Sequence, residues 1–226
     1  AEKAAIIVPG KNVISSNQLP EADAIIRQIA NERRAPLTFV EEPLEGYALG
    51  LAGAHQQENA ALAVEALHAA RLTLNYETVK AGLSSTLWPG RFERVDFSPE
   101  EHSSTTILDI AHNPAAARVL AETWRGEFGG TKANLIFGAV EAKDIKGMLE
   151  ALAPIAGHLH FAPVNSPRAL PPEELAAFLP EEAPAFTIHA SLQSALESST
   201  NLPALITGSA FLIGEVKALH ERTAHR

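Results

Sequence analysis

Apolar positions recur along the chain with two periods. Ile6-Ile7-Val8 is a short apolar run halted by Pro9-Gly10, and Val13-Ile14-Ser15 reads as a strand. A helix is expected from Pro20, whose missing N–H suits the first helical position. Glu21 and Asp23 fall in its first turn and Arg33-Arg34 in its last, each complementing the helix dipole, while Ala22, Ile25, Ile26 and Ile29 form the apolar stripe. Pro36 ends this helix, and Leu37-Thr38-Phe39-Val40 reads as a second strand. A longer helix is expected over 55–74, with Ala60, Val64, Leu67 and Ala70 on one face, then a short one over 76–83 and a linker over 84–89.

After Trp88 the pattern becomes regular. Strand-like runs fall at 94–97, 105–110, 133–137, 158–163, 185–189 and 204–207. Helical runs at 114–125, 144–152, 172–179, 191–198 and 210–221 sit between most of them or follow the last. Strands alternating with helices of this length call for parallel βαβ units with helices on both faces of the sheet. The predicted fold class is therefore α/β: a doubly wound, mostly parallel, Rossmann-like sheet over 88–226, preceded over 1–87 by the end of another α/β domain.

Composition narrows the function classes. The chain has 226 residues, 46% of them hydrophobic, which suffices for a packed core. Lys+Arg 18 against Asp+Glu 27 leaves 18 − 27 = −9, a balance that argues against a general nucleic-acid or anionic-membrane surface. With no cysteine there is neither a disulfide framework nor a thiolate metal site, in keeping with a cytoplasmic location. No apolar run reaches the roughly 18 residues needed to span a bilayer. The one methionine is Met148, so the chain opens on Ala1 rather than on an initiator.

Ligands of open α/β sheets gather at the carboxyl ends of the strands. The best candidate loop there is Leu108-Asp109-Ile110-Ala111-His112-Asn113-Pro114. Asn113-Pro114 reads as a helix cap with a first-turn proline, which leaves Asp109 and His112 beside a helix N-terminus that favours anions. A turn-capping Asp109 and an ordinary loop His112 fit the spacing equally well. Trp88-Pro89-Gly90-Arg91-Phe92 and Ser166-Pro167-Arg168 each put an arginine fork on a turn, suited to phosphate or carboxylate. His55-Gln56-Gln57-Glu58-Asn59 opens the long helix with amides, and Thr207-Gly208-Ser209-Ala210 forms the last strand-to-helix turn, where Ser209 either caps or binds. His158 and His160 share one strand face, but two histidines alone do not make a metal site. Gly129-Gly130-Thr131-Lys132 follows a helix rather than a strand and is not a phosphate loop.

Taken together and in order, the stretches Glu2-Lys3-Ala4-Ala5-Ile6, Gly53-Ala54-His55-Gln56-Gln57-Glu58-Asn59-Ala60, Trp88-Pro89-Gly90-Arg91-Phe92-Glu93, Leu108 to Pro114, Phe137-Gly138 with Lys143-Asp144, Ser166-Pro167-Arg168, and Thr207-Gly208-Ser209 with Gly214-Glu215 cover nearly the whole chain. They resemble the C-terminal portion of the folylpolyglutamate synthase/dihydrofolate synthase family of the Mur ligase superfamily. The one local departure is Ala5, where that family usually has glycine.

The resemblance implies an ATP-dependent amide ligase that adds L-glutamate to a folate or dihydropteroate through an acyl phosphate. It implies that 1–87 is the C-terminal remnant of a central ATPase domain whose phosphate loop lies upstream, so that this chain alone is inactive. By the same resemblance, Asn59, Arg91 and Asp109 contact ATP at the adenine, phosphates and ribose. His112 and Ser209 lie near the glutamate and transfer site, and His112 with Lys3 carries the catalytic role. Lys3 matches a lysine that bears a carbamate and helps organise Mg²⁺, most of whose ligands lie upstream. The expected partners are ATP, L-glutamate, the folate and the missing N-terminal ATPase segment, with neither nucleic acid nor membrane, in a cytoplasmic monomer. Two alternatives stay open: a Mur-type ligase acting on peptidoglycan precursors, and a non-catalytic α/β module binding a nucleotide or amino acid.

Overall fold

A computed structural model of the chain describes residues 3–95, 105–199 and 201–224. The chain divides into two compact units, Ala1–Leu87 and Trp88–Arg226.

The first unit opens with a single 3-10 turn over Lys3–Ile6. Its two strands, β1 (Val13–Ser16) and β2 (Leu37–Val40), pair in parallel and are joined by helix α1 (Pro20–Glu32). Ile25, Ile26 and Ile29 of α1 pack over Ala4, Ile7, Ala30 and Ala35. Helices α2 (His55–Ala69) and α3 (Tyr76–Ser85) follow, the latter capped by the Asn75 side chain, which accepts from the Thr78 amide.

Two helix ends differ from the sequence pattern for one reason. α1 stops before Arg33-Arg34, and α2 stops at Ala69 instead of near residue 74. Arg34 (φ 50°) and Arg71 (φ 58°) adopt the left-handed conformation. In α1 the Arg34 and Ala35 amides donate to Asn31 and Ala30; in α2 the Arg71 and Leu72 amides donate to His68 and Leu67. Both helices thus close with the paired bonds that usually carry glycine at the left-handed position. Without that glycine the sequence bounds α1 only through Pro36 and gives α2 no stop signal.

The second unit is built on one six-stranded sheet: β3 (Glu93–Val95), β4 (Thr106–Leu108), β5 (Ala133–Phe137), β6 (Ala156–Phe161), β7 (Phe186–Ile188) and β8 (Ala204–Thr207), in the spatial order β3-β4-β8-β5-β6-β7. Only β3 runs antiparallel. The helices are α4 (Pro114–Phe128), α5 (Ile145–Leu152), α6 (Pro172–Leu175), α7 (Leu192–Ser198) and α8 (Ala210–Ala224). The expected 172–179 helix is α-helical only to Leu175 and tightens into a 3-10 turn over Ala176–Phe178. The part of the expected first strand beyond Val95 lies outside the described residues.

Burial explains the sequence pattern here. β4, β5 and β8 are buried along their whole length, so they read as continuous apolar runs rather than alternating ones. Trp124, Phe137, Phe161, Ile107 and Leu108 are fully buried. The adjacent strands β4 and β8 send their helices to opposite faces: α4 packs on α5, whereas Leu212, Ile213 and Val216 of α8 share a cluster with Leu192 and Ala195 of α7. Such a divergence opens a crevice at the carboxyl ends of the two strands.

Candidate active site

Three loops meet at that crevice. The Trp88–Phe92 turn enters β3, the Asp109–Asn113 loop leaves β4, and Gly208-Ser209 leaves β8. The Asp109 amide donates to Ile206 O (3.0 Å), the Gly208 amide to Ala111 O (3.2 Å), and the Ile110 amide to Gly90 O (2.9 Å). Residues 90, 109 and 208, far apart in sequence, are therefore fixed by main-chain bonds.

Asp109 is the hub. Its Oδ2 accepts from the Phe92 amide and its Oδ1 from the Ala111 amide, both at 2.9 Å. The carboxylate that ends β4 therefore sets the position of the arginine turn as well as its own loop. Arg91 lies exposed between two left-handed residues, Gly90 (φ 70°) and Phe92 (φ 46°). Gly90 is required: a Cβ there would meet Ile110 Cγ2 at 2.8 Å. Phe92 is buried with its ring against Trp124 and Phe128. Backbone strain of this kind persists only where the surroundings over-determine it.

His112 is exposed, with Nδ1 3.0 Å from Ile110 O. A carbonyl only accepts, so Nδ1 is the donor in this bond and Nε2 is not engaged by it. Asn113 caps α4 by accepting from the Ala116 amide, with Pro114 as first helical residue, so the positive end of α4 lies beside His112. Ser209 is buried and its Oγ accepts from the Phe211 amide (3.2 Å), which is the capping geometry. Next to it Gly208 (φ 108°) packs so closely that a Cβ would lie 2.6 Å from Gly138 O, which locks the β8 and β5 loops together.

Arg91, Asp109, His112 and Ser209 thus lie on loops that meet at one crevice of the second unit. Asn59 and Lys3 belong to the first unit. Asn59 is exposed on the first turn of α2, where its amide donates to Gln56 Oε1 (2.9 Å) and Gln56 in turn bonds His55 (2.9 Å). The side chain of Lys3 lies outside the described residues. Arg168 is exposed on the loop after β6, where its carbonyl accepts from the Glu141 amide.

Two contacts carried no signal in the sequence. Glu93 Oε2 accepts from the Gly90 amide (2.7 Å) while its Oε1 takes Lys217 Nζ (2.5 Å) from α8. The other is His189, which joins His158 and His160 to form a row of rings with centroids 4.7 and 5.1 Å apart. His160 Nδ1 bonds His189 Nε2 (2.9 Å), and His158 Nε2 bonds Thr187 Oγ1 (2.9 Å). His160 Nε2 is buried without a hydrogen-bond partner, and among the described residues no three His, Asp or Glu side chains are arranged to hold a metal. Burial, with the neighbouring His158 and His189 rings, pushes His160 down to about 4.

Comparison with known proteins places this geometry. The family described as Mur ligase, glutamate ligase domain, matches residues 90–206, which hold Arg91, Asp109 and His112. The chain belongs to the Mur ligase family. Among curated Mur ligase relatives, the dihydrofolate synthase/folylpolyglutamate synthase of Bacillus subtilis is 32% identical over 74% of this chain and 44% of its own length. The folylpolyglutamate synthase of Mycobacterium tuberculosis, solved with ADP and AMPPCP, superposes with a TM-score of 0.81 at 26% identity, covering 97% of this chain and 58% of that one. The bifunctional folylpolyglutamate synthase/dihydrofolate synthase of Yersinia pestis, solved with AMPPNP and a Mn ion, gives 0.79 at 26% identity over 97% of this chain and 55% of that one. This Mur ligase chain therefore spans about half the length of these relatives. Among its described residues no helix is long and apolar enough to cross a membrane.

Proposed function

We propose that this chain is the glutamate-ligase part of an ATP-dependent amide ligase that extends a folate, or a dihydropteroate, with L-glutamate. The observation that carries the reading is the convergence of Arg91, Asp109 and His112 at the β4/β8 crevice, inside the segment that matches the Mur ligase family.

The chemistry follows from the groups. ATP phosphorylates the acceptor's terminal carboxylate, and the amine of L-glutamate displaces phosphate from the resulting acyl phosphate. Arg91, fixed by its turn, offsets charge on the transferring phosphoryl group. The N-terminus of α4 favours anionic groups in the same crevice. Asp109 takes the ribose and Asn59 the adenine. Nε2 of His112 accepts the proton that the glutamate ammonium must lose before it attacks. Ser209 lies beside the glutamate. A relative is solved with AMPPNP and a Mn ion; a divalent metal bound here would screen the phosphates, and a carbamate on Lys3 would contribute to its site. The chain spans about half the length of its relatives and is expected to be inactive by itself, and the ligase acts as a monomer.

The test is to supply the full-length protein with ATP and L-glutamate and then, separately, with tetrahydrofolate, dihydropteroate or a UDP-sugar peptide. Glutamate incorporation into either pteridine substrate supports the reading. Extension of the sugar peptide alone, or nucleotide binding without any ligation, contradicts it.

A further inference from the structure

Arg91 is useful to an anionic ligand only if its turn holds still, and the turn is intrinsically unfavourable. Its neighbours on both sides, Gly90 and Phe92, have φ of 70° and 46°. The Gly90 carbonyl, accepting from the Ile110 amide, and the Phe92 amide, donating to the Asp109 carboxylate, fix two of its points. The third is Glu93, the first residue of β3, whose Oε2 receives the Gly90 amide at 2.7 Å. Glu93 is itself fixed from 124 residues away, because Lys217 of α8 donates to its Oε1 at 2.5 Å. The side chains of Lys217 and Glu93 are only 33% and 23% exposed, so the pair is better shielded than a surface ion pair.

The charges matter as much as the geometry. A carboxylate two residues from Arg91 would by itself oppose a phosphate there. Lys217 neutralises it and also restricts its rotation, so the carboxylate can cap the turn without repelling the ligand.

We propose that Glu93 and Lys217 are positioning residues for Arg91, tying the phosphate-reading turn to the C-terminal helix. The proposal rests on the reading of Arg91 as a phosphate contact. The variants to compare in the full-length enzyme are Arg91→Ala, Glu93→Ala, Glu93→Gln, Lys217→Met and Glu93→Ala/Lys217→Met, each measured for kcat and for the KM values of ATP and glutamate, with thermal midpoints alongside. Glu93→Ala and Lys217→Met should each lower kcat/KM for ATP by roughly tenfold, with the glutamate KM unchanged. Glu93→Gln keeps an acceptor for the Gly90 amide and should recover most of that loss. The double variant should be no worse than Glu93→Ala, because the two side chains act as one unit.

If Arg91→Ala lowers kcat/KM for ATP while Glu93→Ala and Lys217→Met leave it within about twofold, the positioning role is overturned and the phosphate reading stands. If Arg91→Ala itself has no effect, both fall. Should Lys217→Met lower the thermal midpoint sharply, the contrast between Glu93→Ala and Glu93→Gln decides, and equal losses in those two would overturn the proposal.

Discussion

The two units solve the same folding problem with unequal means. In 1–87 two four-residue strands pair over a cluster whose buried members are Ala4, Ile7, Ala30 and Ala35. Large apolar side chains such as Ile6 (83% exposed) and Leu19 (76%) remain in solvent. In 88–226 six strands enclose Trp124, Phe137 and Phe161 at zero exposure. A two-stranded sheet is marginal in water, whereas a sheet with both faces covered is self-supporting. The difference shows where a rigid site can be built. The left-handed arginine turn of the second unit holds because Phe92 is anchored on the aromatic core and Asp109 on a buried strand. In the first unit the left-handed residues are the arginines themselves, Arg34 and Arg71, and they merely close helices.

The contrast is most easily broken through the cores. Trp124→Ala removes the largest fully buried side chain, and should cost about 4 kcal/mol in denaturant unfolding of the second unit. Ile25→Ala, at a partly buried position of the first unit, should cost about 1 kcal/mol. Equal costs would mean that the two cores are equivalent.

Acid should also separate the units. His160 in the folded chain takes up a proton only at about pH 4, against 6.5 for an unperturbed histidine. Between those values the unfolded chain binds more protons, so the contribution of His160 to stability is intact above pH 6.5, falls as the pH drops, and is lost below pH 4. The full effect is about 3 kcal/mol. Unfolding of the second unit followed from pH 7.5 to 4 should show this limb, and His160→Leu should flatten it. A variant that retains the acid limb would assign it to other groups.

Asp109→Ala should raise the ATP KM of the full-length enzyme and also cost roughly 1–3 kcal/mol of stability, because the amides of Phe92 and Ala111 both lose their acceptor. An unchanged KM with reduced stability would make Asp109 purely structural. The smallest effect belongs to the first unit, where Arg34→Gly and Arg71→Gly should each stabilise by about 0.5–1 kcal/mol by relieving a left-handed non-glycine residue. Destabilisation would show that those side chains contribute more than their backbone costs.

What was legible in the sequence follows the same division of physics. Ala133–Phe137 and Ala204–Thr207 could be read to the residue, since fully buried parallel strands are unbroken apolar runs. Asn113-Pro114 announced the start of α4 through cap chemistry. The exact helix ends at Arg34 and Arg71 were hidden, because an arginine carries no stop signal and Pro36 bounds only the first of them. In the site, Arg91, Asp109, His112 and Ser209 stood out as loop residues at strand ends, and the capping alternative raised for Ser209 matches its bond to the Phe211 amide. The Glu93–Lys217 pair and the place of His189 were illegible, since both depend on which strands and helices become neighbours. No local pattern links position 93 to 217 or 160 to 189.

The central claim is that this crevice serves acyl-phosphate chemistry on a folate-type carboxylate, and oxygen labelling tests it most directly. The full-length enzyme would be given acceptor labelled with ¹⁸O in its terminal carboxylate, together with ATP and L-glutamate, and the released phosphate analysed by mass. The account predicts ¹⁸O in the phosphate, appearing in step with amide product and slowed in Arg91→Ala. Amide product formed with unlabelled phosphate would contradict it.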